Sequence, residues 1–263
     1  MRQLIQVCAP VLSVNDASKP CFFSNSTVAL LVGSNAQGKT SLLEAMVYPV
    51  LFRSFRTGLD AELVRFGEPG FHAGLEFGHS GGAHSVAATY RLAGRKKRLE
   101  LDGVVAERVV DAAGRWLAVA FAPEDVRLAS GPAASRRLYL DRTLALSDPG
   151  YLTALAKYRA ALAQRNAALR QGRAELASQF DRPLAEWGAV VVARRVAWVA
   201  SASEPFTALL AELGELSGEA GLEYHGGGEL ADPGIWPARL TEARARDLAR
   251  RVTTVGPHRD DLV

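Results

Sequence analysis

The sequence predicts an α/β protein in two lobes, a strand-rich lobe followed by an α-helical one. Three observations carry that prediction. Residues 27–32, TVALLV, form an unbroken β-branched and aliphatic run, as expected of a parallel strand buried on both faces, and a glycine-bounded loop and a helical pattern follow it at once. The composition then shifts near the middle of the chain, from glycine-rich and strand-like to alanine-rich and helix-like. Finally, 263 residues at 48% hydrophobic suffice for a substantial core divided between two lobes.

Taken in order, the helix expected over residues 39–48 has Leu42, Leu43, Ala45 and Met46 as its apolar positions and stops before Pro49. Strands over 84–92 and 98–101 flank Ala93, Gly94 and Arg95, with a second turn at Asp102 and Gly103, so this stretch reads as an antiparallel arm. Residues 116–122 read as another apolar strand, ended by Pro123, Glu124 and Asp125. From Ser147 the character is helical: Ser147 and Asp148 can cap, Pro149 suits a first turn, and Leu152, Leu155, Tyr158, Leu162 and Leu169 recur at helical spacing. A second helix over 183–202 aligns Leu184, Trp187, Val191 and Trp198, and a third is expected over 237–251 after glycine-rich loops at 226–228 and 233–234. The expected organisation is residues 1–125 as the first lobe, 126–250 as the helical lobe and 251–263 as a segment returning to the first.

A formal net charge of +3 and a pI near 9.0 leave any attraction for nucleic acid to local clusters of Lys and Arg. Cys8 and Cys21 read as reduced thiols rather than a disulfide framework. Gln6 and Pro10 make the N-terminal run a poor signal peptide, and the nearest approach to a membrane span, residues 188–202, carries Arg194 and Arg195 at its centre. A soluble, cytoplasmic chain with no membrane partner is expected. His72, His79, His84, His225 and His258 show no metal-ligand spacing, so no structural metal is expected. Trp116, Trp187, Trp198 and Trp236 have apolar neighbours and read as core rather than base-stacking platforms.

The strongest chemical signal is Gly33, Ser34, Asn35, Ala36, Gln37, Gly38, Lys39, Thr40, a full match to GxxxxGK(S/T) between a strand pattern and a helix pattern. Glycines are needed there because the backbone must curl so that successive N–H groups face an anion, in conformations a Cβ obstructs. The expected binding set runs from Gly33 through Ser41. Within it Lys39 supplies a point charge for the β- and γ-phosphates, the Thr40 hydroxyl ligates Mg²⁺, and the following helix aims its positive end at the same phosphates. A nucleoside triphosphate, ATP first, is the expected ligand, with Lys39 and Thr40 in the catalytic roles.

Five further segments accompany the loop: FRSFRT at 52–57, FAPEDV at 121–126, SRRLYLD at 135–141, QRNAAL at 164–169 and TVGPHRDDL at 254–262. In this order and at these intervals they resemble the RecF family of bacterial recombinational repair and replication restart, over about residues 27–263, with QRNAAL and GPHRDDL as the specific parts. The resemblance implies an ABC/SMC-type ATPase head with a mixed-sheet lobe I and a helical lobe II. It implies ATP and Mg²⁺ as cofactors, homodimerisation with ATP, single-stranded and duplex DNA as ligands, RecR and RecO as partners in recombinase loading, and a place in the response to DNA damage. Two departures matter. Residues 1–26 lack the family's LxNFRN-like first strand, and the chain stops at Val263, ahead of the family's signature and Walker B motifs. Because hydrolysis draws on those missing carboxylates, the chain as given is expected to bind ATP far better than it hydrolyses it, with weak DNA-dependent turnover reserved for a longer form.

Other residues keep two readings. Glu124 and Asp125 couple the nucleotide to the helical lobe, or are acids at a helix start. The cluster Arg91, Arg95, Lys96, Lys97 and Arg98 contacts DNA phosphates, or is solvated charge on a hairpin. Arg136, Arg137, Arg159, Arg165, Arg170 and Arg173 are weaker DNA candidates that read mainly as cover for helix faces. His258, Asp260 and Asp261 are singled out only by the family motif. A non-hydrolysing ATP-gated DNA-binding module is the alternative function; a small-molecule kinase or GTPase ranks last, for want of a guanine-reading NKxD motif.

Overall fold

The computed structural model describes residues 4–8, 21–24, 32–79, 82–112, 114–213 and 221–263, and the chain divides into two compact units, Met1–Ala122 and Pro123–Val263. In the first unit six strands form one sheet. They are β1 (Leu4–Cys8), β2 (Cys21–Ser24), β3 (Gly70–His79), β4 (Gly82–Arg91), β5 (Lys96–Leu101) and β6 (Val104–Val105), ordered β2-β1-β3-β4-β5-β6, and every neighbouring pair is antiparallel.

The sheet exists because its strands alternate. Phe71, Ala73 and Leu75 of β3, Val86, Ala88 and Tyr90 of β4, and Leu99 of β5 are buried together with Leu42, Tyr48 and Val50 of helix α1 (Lys39–Leu51), so one face of the sheet is packed. Tyr48 meets Phe71 edge-on at 5.0 Å, and Phe71 stacks on Tyr90 at 5.6 Å. The helix runs through Pro49 to Leu51 rather than stopping before it. One missing N–H bond near a helix end is a small loss, and the burial of Pro49 and Val50 offsets it.

The antiparallel arm stands as expected: β4 and β5 pair from Arg91↔Lys96 to Val86↔Leu101, around a turn in which Gly94 and Arg95 take positive φ. Two strands lie within residues 1–26, where the sequence left the first strand unplaced. The expected strand at 27–32 falls, but for Val32, outside the described residues, and Val32 is exposed and pairs with no strand among the described residues. The expectation at 116–122 is corrected. Those residues keep a strand-like alternation, with Leu117, Val119 and Phe121 exposed and Ala122 buried, but extended backbone becomes a strand only where a neighbour supplies the ladder, and none among the described residues pairs with it.

The first unit also holds the short helix α2 (Val109–Ala112), and the described residues of the second form α3 (Arg127–Ser130), α4 (Ala133–Ser147), α5 (Pro149–Arg170), α6 (Ala174–Ser178), α7 (Asp181–Glu212) and α8 (Trp236–Arg250), with a small ribbon of β7 (Tyr224–His225) and β8 (Asp261–Leu262). Asp148 caps α5 by accepting from the Gly150 N–H at 2.8 Å, with Pro149 in the first turn. Leu140, Tyr151, Tyr158, Leu184, Val191, Val192 and Trp236 form the core. Trp236 fits because position 188 is glycine: a Cβ there would sit 2.3 Å from its ring. Among the described residues no helix is long and apolar enough to cross a membrane.

Candidate nucleotide site

The loop opens α1 with the geometry its motif requires. Gly38 is the N-cap with φ +83°, Ala36 also takes a positive φ of 64°, and among the described residues no side chain caps the helix. An added Cβ at Gly38 would meet nothing within 4 Å; glycine is demanded there by backbone conformation, not by space. Lys39 folds back over the loop, its Nζ donating to the Gly33 carbonyl at 2.6 Å and the Ser34 carbonyl at 2.7 Å. The ammonium is therefore held against the start of the loop, by carbonyls five and six residues before it. Thr40 is exposed and Ser41 half-buried in the first turn of α1. The first turn of α1 and the Lys39 ammonium thus lie on one short loop, which is the pairing of helix N-terminus and cation that an anionic group requires.

The far end of α1 is tied down by FRSFRT. Ser54, buried, donates to Glu44 of α1 and accepts from the backbone N–H groups of Arg56 at 2.9 Å and Thr57 at 3.0 Å, while Arg56 pairs with Glu44 at 3.3 Å. The segment thus fixes the helix that carries the loop.

The five-residue basic cluster does not act as one group. Positions 96, 98 and 100 of β5 face away from the core and 97, 99 and 101 face into it, as period two dictates. Lys97 accordingly reaches under the sheet, donating to the Phe52 carbonyl at 2.6 Å, pairing with Asp60 at 2.8 Å and lying 5.0 Å above the Tyr48 ring. Asp60 in turn accepts from the Tyr48 hydroxyl at 2.7 Å. Arg98 pairs with Glu100 at 3.0 Å. Arg91, Arg95 and Lys96 are exposed and make no ion pair among the described residues, although Arg91 and Lys96 stand directly opposite each other. A like-charge cross-strand pair is unfavourable unless an anion relieves it.

In the second unit SRRLYLD, QRNAAL and TVGPHRDDL are wired together through shared partners. Asp141 of SRRLYLD accepts from Arg195 at 2.7 Å, from Arg159 at 2.8 Å and from the Tyr151 hydroxyl, and Arg195 also donates to the Pro257 carbonyl at 2.6 Å. Arg136 grips Asp261 through two bonds of 2.9 and 2.7 Å, and Arg137 donates to the Asp260 carbonyl at 2.6 Å. From QRNAAL, Arg165 donates to Asp247 at 2.7 Å and to Thr253 at 2.8 Å, and Asn166 accepts from the Thr253 N–H at 2.7 Å. Arg165 is buried, and so is not the helix-face cover its sequence context suggested.

His258 sits between Tyr158, whose hydroxyl donates to Nδ1 at 2.6 Å, and the Thr253 carbonyl, which accepts from Nε2 at 2.9 Å. Burial, reinforced by Arg259 and Arg137, pushes its pKa down to about 4, so the imidazole is neutral. Burial likewise holds Asp260 above the usual carboxylate range; it accepts from the Tyr224 hydroxyl and from the Gly227 N–H at 3.2 Å. Residues 251–263, expected to return to the first lobe, bond to helices α4, α5, α7 and α8 of the second unit. The polar network was missed in the sequence because it depends on Arg195 and Asp247, which lie in no motif.

A P-loop helix under an antiparallel sheet, joined in one chain to a helical unit, is the head of an ABC/SMC-like ATPase. No protein-family model matches the chain. Among curated proteins it is 38% identical to the DNA replication and repair protein RecF of Acidothermus cellulolyticus, over 89% of this chain and 67% of that protein. It is 33% identical to the RecF of Myxococcus xanthus, over 91% of this chain and 65% of the relative. The solved structure of the recombination mediator protein RecF-ATPrS in the RecFOR pathway matches with a TM-score of 0.87 and 28% identity, covering 99% of this chain and 73% of that one; the RecF-ATP structure matches equally, at 27% identity. The chain belongs to the RecF family and spans 65% of the length of the first relatives it matches.

Proposed function

We propose that this chain is an ATP-binding, DNA-binding protein of DNA replication and repair, with ATP on the loop from Gly33 through Ser41. The observation that carries the reading is the uncapped N-terminus of α1 with Gly38 at φ +83° and Lys39 folded over the loop. Solved RecF structures named for ATP support ATP over other triphosphates. On binding, the loop N–H groups and the helix end hold the phosphates, and Lys39 exchanges its two loop carbonyls for the β- and γ-phosphate oxygens. Thr40 is the residue that would hold Mg²⁺, which supplies charge neutralisation between those phosphates. ATP-dependent pairing of two copies on single-stranded and duplex DNA, with RecR and RecO helping to load recombinase in the damage response, completes the proposal.

Lys39→Ala tests it. Fluorescent-nucleotide titration should show ATP affinity falling by at least about tenfold, with the far-ultraviolet circular dichroism unchanged, because removing a charge-assisted donor to a phosphate costs roughly 1.5–3 kcal/mol. Unchanged affinity would remove the nucleotide assignment. Hydrolysis is a separate question: tight ATP binding with no DNA-stimulated turnover favours a nucleotide-gated binding module over an ATPase.

A further inference from the structure

Beside the turn end of the β4–β5 arm stands an aromatic that no part of the nucleotide site uses. Phe66 is fully exposed, at 104%, in a turn where Glu68 N–H donates to the Arg65 carbonyl at 3.0 Å and Gly67 takes φ +85°. The Pro69 carbonyl then accepts from the Leu92 N–H at 2.9 Å, and Gly70 pairs with Arg91. The backbone therefore brings this turn to the edge where Arg91, Arg95 and Lys96 are unpaired among the described residues and Leu92 is exposed. Glu68 is the only acid within the turn itself.

A large apolar ring displayed to water beside cations that face one another is a poor solution for a surface that binds nothing. It suits a ligand with both a polyanionic backbone and accessible π-faces. Duplex DNA supplies only the first, since its bases are stacked on each other; an unpaired strand supplies both. We propose that Phe66 stacks on an unpaired base of single-stranded DNA while Arg91, Arg95 and Lys96 hold the adjoining phosphates. This deepens the DNA-binding reading above and rests on it.

The test compares Phe66→Ala with wild type on an oligo-dT single strand and on a duplex with the same number of phosphates, ATP present, by anisotropy over a salt series. Stacking on one base predicts that Phe66→Ala loses about 5- to 150-fold in single-strand affinity with an unaltered salt slope. Duplex and ATP affinities should stay as in wild type, and Phe66→Trp should restore single-strand affinity. Single-strand binding unchanged by Phe66→Ala, or single-strand and duplex binding lost equally, would overturn the stacking role while leaving the DNA reading in place. Wild-type protein that binds neither oligonucleotide would overturn both.

Discussion

Gly38 shows how much one residue decides. Its φ of +83° aims the start of α1 at the loop, and an L side chain there costs about 1–2 kcal/mol even though nothing stands in its way. Gly38→Ala should lower the thermal midpoint slightly and weaken ATP binding, read by melting with and without nucleotide. His258 gives a second single-residue expectation. Its folded pKa of about 4 lies below the ordinary 6.5, so the unfolded chain takes up the proton first. The stability this neutral imidazole contributes is full above pH 6.5 and is lost as pH falls towards 4. Asp260, with its pKa raised, contributes the opposite slope, but does so in both proteins when wild type is compared with His258→Gln. The variant's melting midpoint should depend less steeply on pH across that window. At this scale the sequence showed the motif glycines plainly, because their chemistry is local. It showed His258 only as part of a motif, because the groups that bury it lie 100 and 5 residues away.

At the scale of elements, β5 separates neighbouring lysines by parity. Lys97→Ala removes the ion pair with Asp60 and a bond to the α1 C-cap, so it should destabilise the first unit by about 1–3 kcal/mol in denaturant melts while leaving the salt dependence of DNA binding alone. Arg91→Gln with Lys96→Gln should do the reverse, reducing the slope of log affinity against log salt by about 2, with stability unchanged or raised as the facing charges go. This division was legible in KKRLEL, where Leu99 and Leu101 mark the inner parity; reading the cations as one run hid it. The alternation of Phe71, Ala73, Leu75 and Phe77 announces β3 in the same way. The long helices were legible for the converse reason: α5 and α7 repeat a helical period over 22 and 32 residues, and periodicity grows more certain with length. β1 and β2 could not be read so easily, since strands of five and four residues hold too few alternations to separate from chance.

Across the molecule, the two units depend on different physics. The first is closed by apolar packing of sheet on helix, whereas the second adds a buried polar web centred on Asp141, Arg195, Arg165 and Asp247. Breaking a buried pair strands its partner, so Arg195→Ala should cost about 3–5 kcal/mol. Hydrogen exchange should show that loss in residues 133–263 while the amides of β3, β4 and β5 keep their protection. The web was beyond sequence reading, because a charged residue announces its burial only through partners far along the chain. The extended stretch at 116–122 has a different consequence for the whole protein, one of solubility. Leu117, Val119 and Phe121, exposed at 71, 97 and 82%, present three apolar side chains to water, and such a cluster favours self-association. Light scattering should rise with concentration, and a gatekeeper charge in Val119→Lys should suppress it without disturbing the fold, so three exposed side chains bear on how concentrated the protein can be kept dispersed.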